Sequence, residues 1–509
     1  MKAQLTILSI IFFLFFSINI FSQRIVHVDP GVGTLNEAID GDTTDTGDRV
    51  DLNTIYELSR GDGAVYILLG TIENRFPVKI FAQDGDGARP QLIPGVVSGG
   101  ESSRPFTPRD DLYLKGLYVT NRDELGGYNT RTIRVKTDSA RIYIEDCHIQ
   151  YDAQSAIRLD GDDNNIFIID SWVGDQMSSW NNGRGIDDRG NNIDTLYLLN
   201  STFYNMSARV LRDDGGYLKY AYVNHCTFVN LGYRIMEFGE CVNLTFTNNL
   251  GINDGFVGQG PNDGRALIEI DSLLSDNVAG LEQIANISYN NFYINPAIVA
   301  SYNPDSTVVN PNFNQRAQEL IDATGLGNTN ISEQINFTKN TASVDDLISY
   351  SNAFWANPLH GSGDVPEGFR FEGEDFDFSY PTTTASYTAG TSGQPLGALT
   401  WFDIEVGVKK DITNQVVENY ELRNNYPNPF NPSTIIEFAI PKNGNVELSI
   451  YNVLGQKIAT LINNELTQGV YKATWNGLTD SGVSVASGTY IYRIKSGEFS
   501  MSKKMILIK

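Results

Sequence analysis

The chain has 509 residues, enough for two or three domains, and its 37 basic against 61 acidic residues leave a formal charge of −24 and a pI near 4.5. That balance argues against nucleic acid and anionic membrane surfaces as partners, and a polyanionic ligand would need a local basic patch or a bridging cation. Three cysteines cannot all pair with one another, so no disulfide framework is expected.

In chain order, Lys2, the apolar run from Leu5 to Phe16 and the small and polar residues through Gln23 read as a secretory signal peptide over residues 1–23. No later stretch is long and apolar enough to span a bilayer, so no membrane span is expected once that signal is cleaved. Residues 24–300 open on short strand-like runs such as Ala64 to Leu69 and Val78 to Ala82, separated by Asp/Gly turns. The Asp- and Thr-rich segment from Asp40 to Asp48 matches no strong calcium-loop spacing and reads as a solvated turn.

A ten-residue pattern then starts at Leu112, Ile142, Ile166, Leu196, Ala221, Leu244 and Ala285, in steps of 30, 24, 30, 25, 23 and 41 residues. Its third positions, Leu114, Ile144, Ile168, Leu198, Val223, Phe246 and Ile287, are all apolar, and Asn or Asp recurs at the tenth. Apolar residues two apart form one inward strand face, and Asn tolerates the left-handed backbone of a tight turn. Units that cannot close their own core must stack on neighbours, and steps of this length fit coils about 4.8 Å apart. The expected fold class is all-β: a right-handed parallel β-helix followed by a small Ig-like antiparallel β-sandwich. Cys147 and Cys226 share the sixth position, but Ser171 and Ser201 lie between them, so both read as small inward fillers out of disulfide reach.

Past residue 300 the period is lost. Residues 301–404 carry two helix-like stretches, Gln315 to Ala323 and Val344 to Trp355, and read as an extension packed on the β-helix; 405–418 read as a linker. Residues 419–509 hold strand-like runs, among them Ser433 to Ile440, Val446 to Asn452, Val470 to Trp475 and Thr489 to Lys495, spaced by Gly, Asn and Asp turns as in a sandwich.

In this last unit the segment YPNPFNP from Tyr426 to Pro432, IYNVLG from Ile450 to Gly455, Gly469 to Tyr471, Trp475 to Gly477, Ser487 to Tyr490 and the basic terminal strand from Lys503 to Lys509 resemble the C-terminal sorting domain of type IX secretion cargo. The resemblance implies a translocon partner acting through residues 419–509 and delivery to the outer surface of, or secretion from, a Gram-negative bacterium of the Bacteroidetes kind. The opening coils, the periodic body and the segments Phe376 to Tyr380, Gly393 to Gly397 and Trp401 are similar to exported β-helix proteins of the pectin-lyase-like fold, a group that holds lyases, hydrolases and proteins without known activity.

Two side-chain columns could carry chemistry. The second positions Tyr113, Tyr143, Phe167, Tyr197 and Tyr222 make an outward aromatic stripe suited to sugar rings, but so long an apolar stripe is expected to be covered, and the extension after Tyr302 is the expected cover. Arg134, Arg158, Arg184, Arg209 and Arg234 follow at 24, 26, 25 and 25 residues, with Asp160, Asp187, Asp188, Asp213, Asp214 and Glu237 beside them. One wall of guanidiniums could bind a row of sugar carboxylates, with Arg134, Arg158, Arg184, Trp172 and Trp180 as substrate-binding candidates.

Uronate elimination needs the substrate carboxylate neutralised and the adjacent proton removed. By analogy with pectin-lyase-like enzymes, Arg209 or Arg234 is the candidate proton-transfer group, and Asp187, Asp213 and Glu237 are candidate ligands for Ca²⁺, the one cofactor the pattern suggests. A ladder of solvated ion pairs is the plainer reading of the same column. Glycoside hydrolysis would instead draw on carboxylate pairs among Asp187, Asp188, Asp213 and Asp214. The expected function is engagement of extracellular polysaccharide, with lyase chemistry the activity to test and a non-catalytic adhesin or structural surface protein the alternative.

Overall fold

The computed structural model describes residues 24–96, 102–176, 182–258, 266–302, 311–356, 375–404, 408–411, 417, 419–442, 444–466, 468–479 and 484–508. The signal-peptide segment therefore lies outside the described residues, as does Trp180.

The body is a parallel β-helix. A first sheet of ten strands runs from Ile25–Val28 to Ile284–Ser288, a second of ten from Gly31–Val32 to Asn291–Tyr293, and a third of six from Arg131–Val135 to Ile268–Glu269. All pairings within them are parallel, and the repeat read from sequence is the register: Leu112 faces Ile142, Ile142 faces Ile166, and so on through Leu196, Ala221, Leu244 and Ala285. The third-position residues Leu114 to Ile287 are at most 1 % exposed and belong to one continuous core with the third sheet's Ile133, Ile157, Ile186, Leu211, Met236 and Ile268. Cys147, Cys226 and Cys241 are buried thiols within it.

Two columns of left-handed backbone turn the coils, although Asn121 at the first tenth position is not left-handed. The tenth positions Tyr151, Asp175, Asn205, Asn230 and Asn253 have φ of 48–70°, as the Asn and Asp preference suggested. A second column stands at the fifth positions, between the first and second sheets: Gly116, Asp146, Asp170, Asn200, His225, Asn248 and Tyr289, with φ of 49–72°. Beside it, the sixth-position side chains cap backbone amides of the preceding coil: Ser171 accepts from the Cys147 amide at 3.0 Å, Asn249 from Cys226 at 2.9 Å and Asn290 from Asn249 at 2.9 Å. The buried corner amides of Cys147, Cys226 and Asn249 thus find partners on the next coil.

Gly251 breaks the apolar eighth position, and the fold shows why this is tolerated. Phe246 from the first sheet bridges the gap, stacking on Phe228 at 5.9 Å and on Phe292 at 6.2 Å, so the interior aromatic stack that begins at Phe203 continues unbroken.

Helices close both ends. Thr34–Asp40, not anticipated from the pattern, buries Leu35 and Ile39 against the first coils. Gln315–Thr324, expected from sequence, is capped by the Asn314 side chain and Gly325 and buries Ala317, Leu320 and Ile321 in the same core. The second expected helix, Val344–Ala356, packs Leu347, Tyr350 and Phe354 on Phe256 and Val257.

Residues 375–404 lie mainly over the second sheet's outer face, where Phe376 and Phe378 meet Tyr204 and Val229, and Tyr380 and Leu396 meet Leu250 and Ile252. The first-sheet stripe, expected beneath the extension, is buried at Tyr113, Tyr143, Phe167 and Tyr197, and among the described residues of the extension Leu399 and Ile404 join its cluster.

The C-terminal unit is a sandwich of two four-stranded sheets, one holding Thr434–Ile440 and Gly469–Trp475, the other Gly444–Asn452, Lys457–Leu466, Gly488–Ser496 and Phe499–Leu507. The expected linker is not wholly a linker: Val408–Asp411 pairs antiparallel with Val470 to Ala473 and adds an edge strand. No helix among the described residues is long and apolar enough to cross a membrane.

Candidate functional site

The arginines do not form one column. Ser155 stands opposite both Arg131 and Arg184, and Arg158 stands opposite both Arg134 and Asp187, because the coil from Ser155 to Arg184 takes 29 residues where the step from Arg131 to Ser155 takes 24. Arg184, Arg209 and Arg234 therefore align with Arg131, whereas Arg134 and Arg158 align with Asp187, Arg212 and Glu237. A longer coil shifts register by whole residues, and near-equal spacing in sequence conceals the shift.

The resulting ladder is interleaved and, from Arg184 onward, buried rather than solvated. Arg184, Arg209 and Arg234 are 5 %, 3 % and 1 % exposed. Arg184 meets Asp187 at 2.6 Å, Arg234 meets Glu237 at 2.7 Å as well as Glu269, and Arg209 also meets Glu237. Arg212 bridges Asp187 at 3.4 Å and Asp214 at 2.7 Å. Burial brings the Arg184 guanidinium down to about 10 despite Asp187 beside it. Nearer the N-terminus, Arg134 and Arg158 are half-buried and share Asp160 at 2.5 and 2.6 Å.

The calcium candidates do not converge. Asp187 and Glu237 stand two coils apart with Arg212 between them, roughly 10 Å at about 4.8 Å per coil. Asp213 follows Arg212 and takes the inward place that Leu159 and Phe238 hold in the core. Among the described residues no group of three or more His, Cys, Asp or Glu side chains is disposed to hold a metal ion.

Asp188 shares that inward column with Asp213. Burial, and then the hydrogen bond and charge of Asp213, raise the Asp188 carboxyl, and burial raises Asp213 as well, so the two form a carboxyl pair that holds a proton between them. A Cβ at position 239 would lie 2.0 Å from the Asp213 carboxylate, which makes Gly239 a condition of the pair. The two carboxyls touch, whereas glycosidase pairs stand about 5 to 9 Å apart across the scissile bond.

Trp172, the other described substrate-binding candidate, is packed: Trp401 stacks on it, and the Arg89 guanidinium lies 5.4 Å from its ring. Beside it the Tyr204 ring lies over Gly174, where a Cβ would come within 2.2 Å of it, and its hydroxyl meets His148 Nε2 at 2.7 Å and Gln150 Nε2 at 2.6 Å. Phe376 then seats on Tyr204 at 4.6 Å. From Trp172 to Tyr293 the outer face of the second sheet thus supports the extension.

Toward the N-terminus the same face carries a pocket of about 510 Å³. Its floor is Gln91, Ile93, Tyr118 and Thr120 on two adjacent coils, with Tyr151 on the next, and its rim is the loop from Arg122 to Gly126. Asp123 organises the loop, accepting from the amides of Leu125 at 3.0 Å and Gly127 at 2.8 Å and from the Ser102 hydroxyl at 2.8 Å. Burial is the largest single effect and raises its carboxyl, but these donors together outweigh it and hold the group below the usual range. Glu124 accepts from the Val96 amide at 3.1 Å, Arg122 lies 5.9 Å over the Tyr128 ring, and Leu125 is 78 % exposed. Sequence reasoning missed this site because its rim, Arg122 to Gly126, falls outside the ten-residue pattern that starts at Leu112; the Gly-Gly turn at Gly126 and Gly127 was the local signal.

The sandwich is where comparison with known proteins speaks. Its YPNPFNP segment is joined to the terminal strand: the Phe430 amide donates to the Ile506 carbonyl at 3.0 Å, the Ile508 amide donates to the Phe430 carbonyl at 2.9 Å, and Phe430 packs on Trp475. Residues 424–509 match the family model of the secretion system C-terminal sorting domain. The chain is type IX secretion cargo. Cargo of this kind is delivered to the cell surface or the extracellular space, typically in Bacteroidetes. A search of curated proteins finds no significant match to this cargo.

Proposed function

We propose that the β-helix body of this cargo binds extracellular polysaccharide on the outer face of its second sheet. The observation that carries the reading is the pocket of about 510 Å³, lined by Tyr118 together with Gln91, Ile93 and Thr120. Aromatic faces accept the apolar faces of sugar rings, a few polar groups fix their orientation, and the volume lies within the range of ordinary ligand sites. Burial and pairing of Arg209 and Arg234 favour binding over elimination, because a proton-transfer group must reach the substrate.

The test is affinity electrophoresis of the secreted chain through gels cast with soluble glycans, beside an assay for unsaturated uronate products with and without Ca²⁺. Retardation without product supports binding. Ca²⁺-dependent product that disappears in Arg209→Lys and Arg234→Lys would restore the lyase, and no retardation by any glycan would remove the proposal.

A further inference from the structure

The chemistry of the ligand can be narrowed, on the premise that the pocket over Gln91, Tyr118 and Tyr151 is where glycan binds. We infer that the pocket takes a neutral sugar and discriminates against uronates and sulfated sugars.

Three observations converge. First, the cations that could have read a row of carboxylates are engaged inside the fold: Arg184, Arg209 and Arg234 are buried against Asp187, Glu237 and Glu269, while Arg134 and Arg158 share Asp160. Second, the rim brings one guanidinium, Arg122, against two carboxylates, Asp123 and Glu124, so its formal charge is 1 − 2 = −1. Asp123 stays ionised, because the Ser102 hydroxyl and the amides of Leu125 and Gly127 are all aimed at its carboxylate. Third, the pocket sits on a chain of net charge −24, so an anionic polymer would approach against the field of the protein as well as against the rim.

What remains is suited to an uncharged sugar. Ile93 and Tyr118 line the pocket from adjacent coils beside the exposed Leu125, and Gln91 offers both amide donors and an acceptor to ring hydroxyls. The half-buried Asp123 and exposed Glu124 carboxylates would face an anionic sugar as like charges, which selects against the wrong ligand.

The experiment runs the secreted chain, Tyr118→Ala, Gln91→Ala and Arg122→Gln through low-salt gels containing neutral glucans, mannans and xylans in one set, and polygalacturonate, alginate and a sulfated galactan in another. Circular dichroism checks that each variant is folded. At least one neutral glycan should retard the wild type, with retardation weakened at least tenfold in Tyr118→Ala and Gln91→Ala. Retention by the anionic set that Tyr118→Ala or Arg122→Gln abolishes would overturn the inference while leaving polysaccharide binding intact. Neutral retention that none of the variants alters would overturn the site, and no retention in either set would remove the premise itself.

Discussion

Trp401 stacks on Trp172 with ring centroids 4.7 Å apart and planes 13° from parallel, and its indole Nε1 donates to the Thr202 hydroxyl at 2.9 Å. One side chain thus joins the extension to two coils of the second sheet. The fifth-position corner supplies further anchors: Asn200 accepts from the Leu399 and Thr400 amides, Asn248 accepts from the Thr391 amide at 2.8 Å, and His225 Nδ1 stands 3.3 Å from the Gly397 carbonyl.

Trp401→Ala should release this end of the extension. Both indoles are only half-buried, so the expected loss is about 2 to 3 kcal/mol, below the roughly 3 to 5 kcal/mol of a fully buried tryptophan. Urea denaturation gives the magnitude, and limited proteolysis should show new cuts within 375–404. An unchanged midpoint and an uncut extension would mean that the corner hydrogen bonds suffice alone.

Arg234→Ala removes the cation between Glu237 and Glu269 and leaves two carboxylates facing a cavity. Breaking a buried pair in this way costs about 3 to 5 kcal/mol. The ladder reading therefore expects a large drop in the denaturation midpoint, with glycan retardation unchanged wherever the variant remains folded. A variant of wild-type stability that has lost glycan turnover would contradict it.

Stability should fall as the pH rises above neutral, and Asp152 should be one measurable cause. The carboxyl is fully buried, its Oδ1 accepting from Asn121 at 2.7 Å and Thr132 at 2.9 Å, and burial raises it to about 8 against those bonds. The folded state therefore holds a proton that the unfolded chain has released above its ordinary value of 3.8; the contribution is fully present below that value and is lost as pH rises through about 8. His225 has the opposite sign: burial depresses it to about 4, so its contribution is present above 6.5 and is lost as pH falls through about 4. Between pH 6.5 and 8 the histidine is silent, and there Asp152→Asn should flatten the dependence by up to about 1.4 kcal/mol per pH unit. Equal slopes for wild type and variant in urea titrations would show that Asp152 carries no such proton.

The coil spacing, the inward residues from Leu112 to Ile287, the two expected helices and the sandwich strands were all legible in the sequence, because each depends on a local period or a turn residue. So was the sorting domain, whose motif residues are consecutive. The third sheet was harder to read: the 29-residue coil between Ser155 and Arg184 displaces the charged side chains by a register that counting arginines cannot detect. The expected linker hid an edge strand because Val408–Asp411 has a partner only across the sandwich.

Sequence by itself determined that this chain winds, stacks and is exported, since alternating burial and turn chemistry act between residues close along the chain. Only the tertiary structure decided which surfaces stay available. Whether Arg234 faces a ligand or Glu237, and whether Tyr118 lies beneath the extension or lines a pocket, depends on contacts between distant segments. Burial is a property of those contacts, and it converts a charged wall into an internal brace and an unremarkable tyrosine into the floor of a site.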